Sequence, residues 1–126
     1  MPKTIITTKA APAPIGPYNQ AVLTGNMLFI SGQICIDPAT GDLKNSNLKE
    51  ETNQVMKNLE AVLAQAGFDF SNVIKSTIFL TDMKRFAEVN EVYGSFFESE
   101  FPARETVEVA ALPKFVNVEI SMIAVK

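Results

Sequence analysis

Alternation with a period of two runs through the last quarter of the chain, residues 101–126. Between residues 106 and 111, Val107, Val109 and Ala111 fall on one face, while Thr106, Glu108 and Ala110 fall on the other. After Val116 the pattern is cleaner: Val118, Ile120, Met122 and Ala124 take one face, and Asn117, Glu119 and Ser121 the opposite one. Successive side chains on a strand point to opposite faces, so both stretches read as half-buried strands, joined through a turn at Leu112-Pro113-Lys114. By the same parity Arg104 falls with Thr106 and Glu108. Arg104 and Glu119 are therefore both expected off the apolar face of one sheet. If that second face meets another subunit, an Arg and a Glu share a cleft. A guanidinium there would grip a carboxylate ligand by two parallel hydrogen bonds.

Upstream, residues 3–8 read as a short strand, followed by an extended segment fixed by Pro12, Pro14 and Pro17. Residues 18–23 and 27–31 are two β-prone runs around Thr24-Gly25-Asn26, a hairpin signal. Gly32-Gln33 ends or bulges the second run, and residues 37–41, DPATG, form a turn. A helix is predicted over about 48–66. Asn47 and Glu50 form a capping box, Val55, Met56, Leu59, Val62, Leu63 and Ala66 an apolar stripe, and Gly67 the C-terminal stop. Residues 73–81 read as a strand. Asp82 caps a second helix that buries Phe86, Val89, Tyr93, Phe96 and Phe97, and Pro102 prevents its continuation. The order β-β-β-α-β-α-β-β gives an α+β fold, a mixed sheet with two helices packed on one face. The other face carries Arg104, Glu119 and Tyr18, a mixture suited to a subunit interface.

Length allows one domain over 1–126. A hydrophobic share of 47% with 20% charged residues is globular rather than disordered. The net charge of −3 leaves no electrostatic footprint for nucleic acid. No secretory leader or membrane-spanning run is evident, so a soluble, cytoplasmic protein is expected. The absence of His narrows the chemistry further. Ser-His-Asp and Cys-His mechanisms are excluded, and with a single cysteine, Cys35, a Cys/His metal site is not expected. Proton chemistry falls to carboxylates, Tyr18, Tyr93, lysines, Cys35, backbone groups or water.

Each candidate also has a plainer reading. Arg104 could be a surface residue paired with Glu105 or Glu108, and Glu119 a solvent-facing position on a one-sided sheet. Without a His partner Cys35 is better read as a small core residue than as a nucleophile. Tyr18 is equally a pocket ring or an ordinary strand aromatic. Gly16, Gly25 and Gly32 are not spaced as a phosphate-cradling loop.

Ordered motifs along nearly the whole chain narrow these alternatives. They are APIGPYNQA at 13–21, FISGQI at 29–34, DPATG at 37–41, Asn58-Leu59 to Gly67, and Phe86 to Tyr93 around Asn90. The C-terminal ones are Pro102-Ala103-Arg104, Glu108-Val109-Ala110 and Leu112-Pro113-Lys114 to Val118-Glu119-Ile120. In these the chain resembles the RidA/YjgF family of reactive-intermediate (enamine/imine) deaminases. The resemblance implies a chorismate-mutase-like fold assembled as a homotrimer with intersubunit sites, needing neither metal nor cofactor. It implies hydrolysis of 2-imino acids, such as 2-iminopropanoate or 2-iminobutanoate, to 2-keto acids and ammonia.

On that resemblance Arg104 holds the substrate carboxylate, aided by the Thr106 N–H, and Glu119 activates water. Gly32, beside Ser31, brings backbone close to the imine, while Tyr18 and Asn90 line the cleft. Three positions depart from the family pattern. Glu105 replaces a small residue, Ser121 a common second Glu, and Cys35 a frequent Pro. Strand parity points Glu105 away from Arg104. The alternative function is a trimeric regulatory protein that binds a small carboxylate metabolite. Ribonuclease or translation-inhibitor activity, also associated with the family, fits the acidic, His-free chain less well.

Overall fold

Helix α1, Leu48–Gln65, forms where its apolar stripe predicts. Asn47 accepts a hydrogen bond from the Glu50 N–H at 2.8 Å, but the Glu50 carboxylate takes the Ser46 hydroxyl rather than closing a capping box. Gly67 lies just past the C-terminus at φ 81°, the left-handed conformation that ends a helix without steric penalty. The buried face runs through Val55, Met56, Leu59, Val62 and Leu63. Three polar residues share it: Glu51, Thr52 and Asn58. The computed structural model describes residues 2–126. No helix among the described residues is long and apolar enough to cross a membrane.

Six strands form one mixed sheet in the order β1-β2-β3-β6-β4-β5. They are β1 Thr4–Ile6, β2 Ala21–Thr24, β3 Met27–Gln33, β4 Val73–Leu80, β5 Ala103–Glu108 and β6 Val118–Val125. All neighbours are antiparallel except β4 and β5, whose parallel pairing needs the crossover supplied by α2, Phe86–Ser95. Both helices cover one face. Beneath them Leu28, Ile30, Ile78, Leu80, Val118, Ile120, Met122 and Ala124 form the core, with Val89 and Tyr93 from α2. Phe86, Phe96 and Phe97 reach that core only in part. Asp82 caps a single 3-10 turn, Met83–Arg85, which leads into α2.

The expected hairpin at 25–26 is present, with Thr24 opposite Met27 and Gly25 at φ 58°. The register between β3 and β6 shifts between Ile30 and Gln33, which places Gly32 in a bulge. Three expectations need correction. Residues 18–20 precede β2, so Tyr18 sits on a loop. The last two strands are not a hairpin: β6 inserts between β3 and β4, on the far side of β4 from β5. A proline and two consecutive left-handed residues, Lys114 and Phe115, shape residues 109–117 as a crossing rather than a tight turn.

The third correction concerns faces. Arg104 pairs with Ser76 and Thr106 with Ile78, both fully buried under the helices, so Arg104 and Thr106 point to the helix side. Val107 pairs with Phe79 on the opposite face and is 42% exposed. Glu119 also pairs with Phe79. Arg104 and Glu119 therefore occupy opposite faces of the sheet. Parity was right, but the assumption that valines mark the core was not. The uncovered face is itself apolar, with Ile5, Val22, Phe29 and Ile123 in register across four strands.

Glu51 is fully buried and joins the two layers. Its Oε2 accepts from the backbone N–H groups of Asn117 (2.7 Å) and Val118 (3.0 Å), and Oε1 from the Asn117 side-chain amide (2.8 Å). Glu51→Ala leaves three donors without acceptors, so urea unfolding at fixed protein concentration should show a loss of about 3 kcal/mol or more. Glu51→Gln, whose carbonyl still accepts, should lose less. A loss below about 1 kcal/mol in Glu51→Ala would show that water satisfies this end of β6.

Candidate functional site

Arg104 enters on the second residue of β5, the edge strand, beyond the cover of α1. Its guanidinium carbon lies 5.2 Å from the Phe86 ring centroid and 5.1 Å from that of Tyr93. Nη1 donates to Asn90 Oδ1 at 2.7 Å. Tyr93 is fixed in turn by donating to Ser76 Oγ at 2.9 Å, and burial raises its phenol pKa. Arg104 makes no ion pair among the described residues. Glu105 points the other way and pairs with Lys75 at 3.1 Å, as strand parity requires. The result is an oriented cation with donors to spare, in a cavity of about 320 Å3 that Asn90, Tyr93 and Phe101 help to line.

Thr106 follows two residues along the same strand. Val109 N–H donates to Leu80 C=O at 2.9 Å, so alternation turns the amides of residues 104, 106 and 108 towards the free edge. Thr106 Oγ1 is buried and has no hydrogen-bond partner among the described residues. Asn90, Arg104 and Thr106 thus form one constellation, suited to holding a carboxylate.

Tyr18, Ser31, Gly32 and Glu119 line a different cavity, of about 390 Å3. Gly32 is needed there for space. A β-carbon on it would collide with Glu119 Oε2 and lie 2.8 Å from Glu119 Cδ. Partial burial pushes the Glu119 carboxyl above the ordinary carboxylate range. Ser31 donates from its hydroxyl to Asn19 C=O at 2.6 Å and from its N–H to Gln20 C=O at 2.9 Å. A raised-pKa carboxylate against backbone, opening into a cavity, is an arrangement for taking a proton from bound water.

Two residues that sequence reasoning left without a role build these walls. Gln20 is buried; its Oε1 accepts from Thr8 N–H at 2.7 Å, and its Nε2 donates to the carbonyls of Thr8, Ala11 and Pro12. This holds the proline segment against the sheet. Asn58 donates to the carbonyls of Ile34 and Ile36, both at 3.0 Å, and fixes the segment after β3. A polar residue on the apolar stripe of α1 was the available signal for Asn58 and for Glu51. Cys35 is fully buried and lines neither cavity; burial, reinforced by the Glu51 charge, pushes its thiol up to about 11. It is a core residue.

The sequence profile of the family described as Endoribonuclease L-PSP matches residues 8–126. A RutC family protein of Pyrococcus horikoshii is 51% identical over 124 residues, 98% of each chain. A Bos taurus protein named 2-iminobutanoate/2-iminopropanoate deaminase is 50% identical over 97% of this chain and 89% of its own. Among solved structures, a Rid family protein of Yersinia pestis, described as of unknown function, superposes with a TM-score of 0.96 at 48% identity. That likeness spans 99% of this chain and 100% of the other.

Gly32→Ala tests the contact with Glu119. Only the end of a flexible side chain must move, so stability should change by less than about 1 kcal/mol. The Glu119 carboxyl, swung towards water, should titrate lower by carbon-detected NMR. An unchanged titration would show that Gly32 does not set the position of that carboxylate.

Proposed function

The chain belongs to the endoribonuclease L-PSP (RidA/YjgF) family, and from that membership we propose that it hydrolyses reactive 2-imino acids and their enamine tautomers, such as 2-iminopropanoate or 2-iminobutanoate, to 2-keto acids and ammonia in the cytosol. The observation that carries this reading is the division of the candidate residues into two complementary halves. One half offers an oriented guanidinium with free donors. The other offers a carboxylate of raised pKa against a glycine. A small substrate with a carboxylate beside an electrophilic carbon needs both.

The halves face opposite sides of one protomer and share no cavity, so a complete site takes Arg104, Asn90 and Thr106 from one copy and Glu119, Gly32, Ser31 and Tyr18 from another. The apolar open face of the sheet supplies a reason to associate: Ile5 is 42% and Phe29 41% exposed there. A ring of three copies closes with every site equivalent. In each, Arg104 and the Thr106 N–H hold the substrate carboxylate. Glu119 takes a proton from water as its oxygen bonds to C2, giving a carbinolamine. The same carboxyl returns that proton to nitrogen and then carries the hydroxyl proton there as the C2–N bond breaks, so ammonia leaves and the C2 oxygen becomes the keto group. The substrate is already activated, so positioning and one base suffice.

The family description as an endoribonuclease is a poorer guide to this chain. It has no His, and its net charge is −3. A role as a metabolite sensor makes the opposite prediction about turnover: ligand binding with no hydrolysis.

Arg104 contacts a carboxylate present in ground and transition states alike. Arg104→Ala should raise KM by roughly 30- to 150-fold, corresponding to about 2–3 kcal/mol, and Arg104→Lys should recover only part. Glu119→Gln should lower kcat by about 100-fold or more while a 2-keto acid still binds by calorimetry. Tight keto-acid binding by Arg104→Ala would remove the carboxylate clamp from the scheme.

The base form of Glu119 is the active one. kcat should therefore fall as pH drops through its raised pKa, above the pH at which an ordinary carboxyl titrates, and this limb should be missing in Glu119→Gln.

Shared sites also predict complementation. Arg104→Ala and Glu119→Gln protomers, refolded together in equal amounts, should give mixed trimers each with one intact site, or about one quarter of the wild-type rate. No recovery in a mixture shown by light scattering to be trimeric would place both residues in one protomer's site.

A further inference from the structure

The Glu119 cavity is larger and more apolar than a three- or four-carbon imine requires. Its polar groups come from the loop before β2 (Tyr18, Gln20), from the β3 bulge (Ser31, Gln33) and from β6 (Glu119). Six apolar residues, Pro12, Ala13, Ile15, Ile34, Ile36 and Pro113, reach it from three separate segments. The first of these segments is clamped by Gln20 and the second by Asn58, each amide taking up backbone carbonyls that would otherwise face the cavity or the core. What remains towards the cavity is hydrocarbon on a fixed frame. A volume of about 390 Å3 lies in the range of pockets that enclose much larger ligands.

We propose that this apolar wall is a subsite for the substrate side chain, and that the chain prefers 2-imino acids with bulky aliphatic or aromatic side chains over 2-iminopropanoate. The inference rests on the deaminase reading and adds to it a direction of specificity. With its carboxylate on Arg104 of one copy and C2 beside Glu119 of the next, the imine directs its side chain along Ile34, Ile36 and Pro113. Each methylene moved from water onto these walls favours the larger substrate by roughly fourfold. Ala13 sets the reach of the subsite, since it is small and sits on the proline segment opposite.

The test uses the full-length protein and imines released in situ by an L-amino acid oxidase from alanine, leucine and phenylalanine, with residual imine trapped by semicarbazide. The leucine-derived imine should have a kcat/KM at least about tenfold above that of the alanine-derived one. Ala13→Phe, at an exposed position where the fold tolerates bulk, should fill the subsite and reverse that ratio. Equal rates, or a preference for the alanine-derived imine in the wild type, overturn the subsite and leave the deaminase reading standing. A ratio unchanged in Ala13→Phe likewise overturns it. Hydrolysis of none of the imines overturns the deaminase reading itself, and the subsite with it.

Discussion

The buried carboxylate of Glu51 holds the helix layer to the sheet at the point where β6 begins. It satisfies two backbone N–H groups that no neighbouring strand reaches, and the Asn117 side chain as well. A buried carboxylate is unfavourable unless fully hydrogen-bonded, and here three donors converge on it. The register of β6 follows from that anchor, and Glu119 is the residue after the second donor. Shifting β6 by one residue would bury Glu119 in the core and expose Ile120. Burial raises the pKa of Cys35, the one thiol of the chain, and the Glu51 charge adds to that shift.

From the strand order comes the separation of the two constellations. Because β6 inserts between β3 and β4, Glu119 lies in the interior of the sheet, backed by the β3 bulge. Because β5 is added in parallel through α2, Arg104 lies at the edge, gripped by the helix that made the crossover. Apart from Tyr18, the residues of both constellations sit on strands or on α2. On opposite faces of one sheet the two halves do not meet within a protomer; in the proposed reading a neighbouring copy docked on the apolar face brings them together. In this reading association and activity depend on the same surface. A substitution at Phe29 or Val107 could then act on turnover without touching either half of the site.

Much of this was legible in the chain. Helix α1 and its cap, the β2–β3 hairpin, the bulge at Gly32 and the alternation of β6 all follow from local pattern, because each is set by neighbours in sequence. The face assignment of β5 was not. It depends on whether Val107 or Thr106 meets the helices, and that is decided by pairing with β4, more than 20 residues upstream. The rule that apolar residues face the core fails on a sheet with two apolar faces. Sequence motifs named Arg104, Asn90, Gly32 and Glu119, but only the register shows that they form two groups. Glu51, Gln20 and Asn58 escaped because a polar residue in a helix stripe or a strand entry reveals nothing about its partners. The backbone partners that these side chains hold lie 8 to 67 residues away in sequence.

The environment of Glu119 shows what such a site takes from stability. Its carboxyl titrates above the ordinary range because partial burial disfavours the charged form. The folded protein therefore holds that proton at pH values where the unfolded chain has released it. The sign follows from linkage: the group favours the folded state most at low pH, and this contribution is lost as pH rises through the folded pKa. At neutral pH the carboxylate is thus held in a setting that opposes it. Bringing a cation close would relieve the strain and lower the pKa, but it would also weaken the base. Within the protomer Lys75 is engaged by Glu105, and Arg104 lies on the other face. Within one protomer, Arg104 on the other face leaves burial alone to raise the Glu119 pKa.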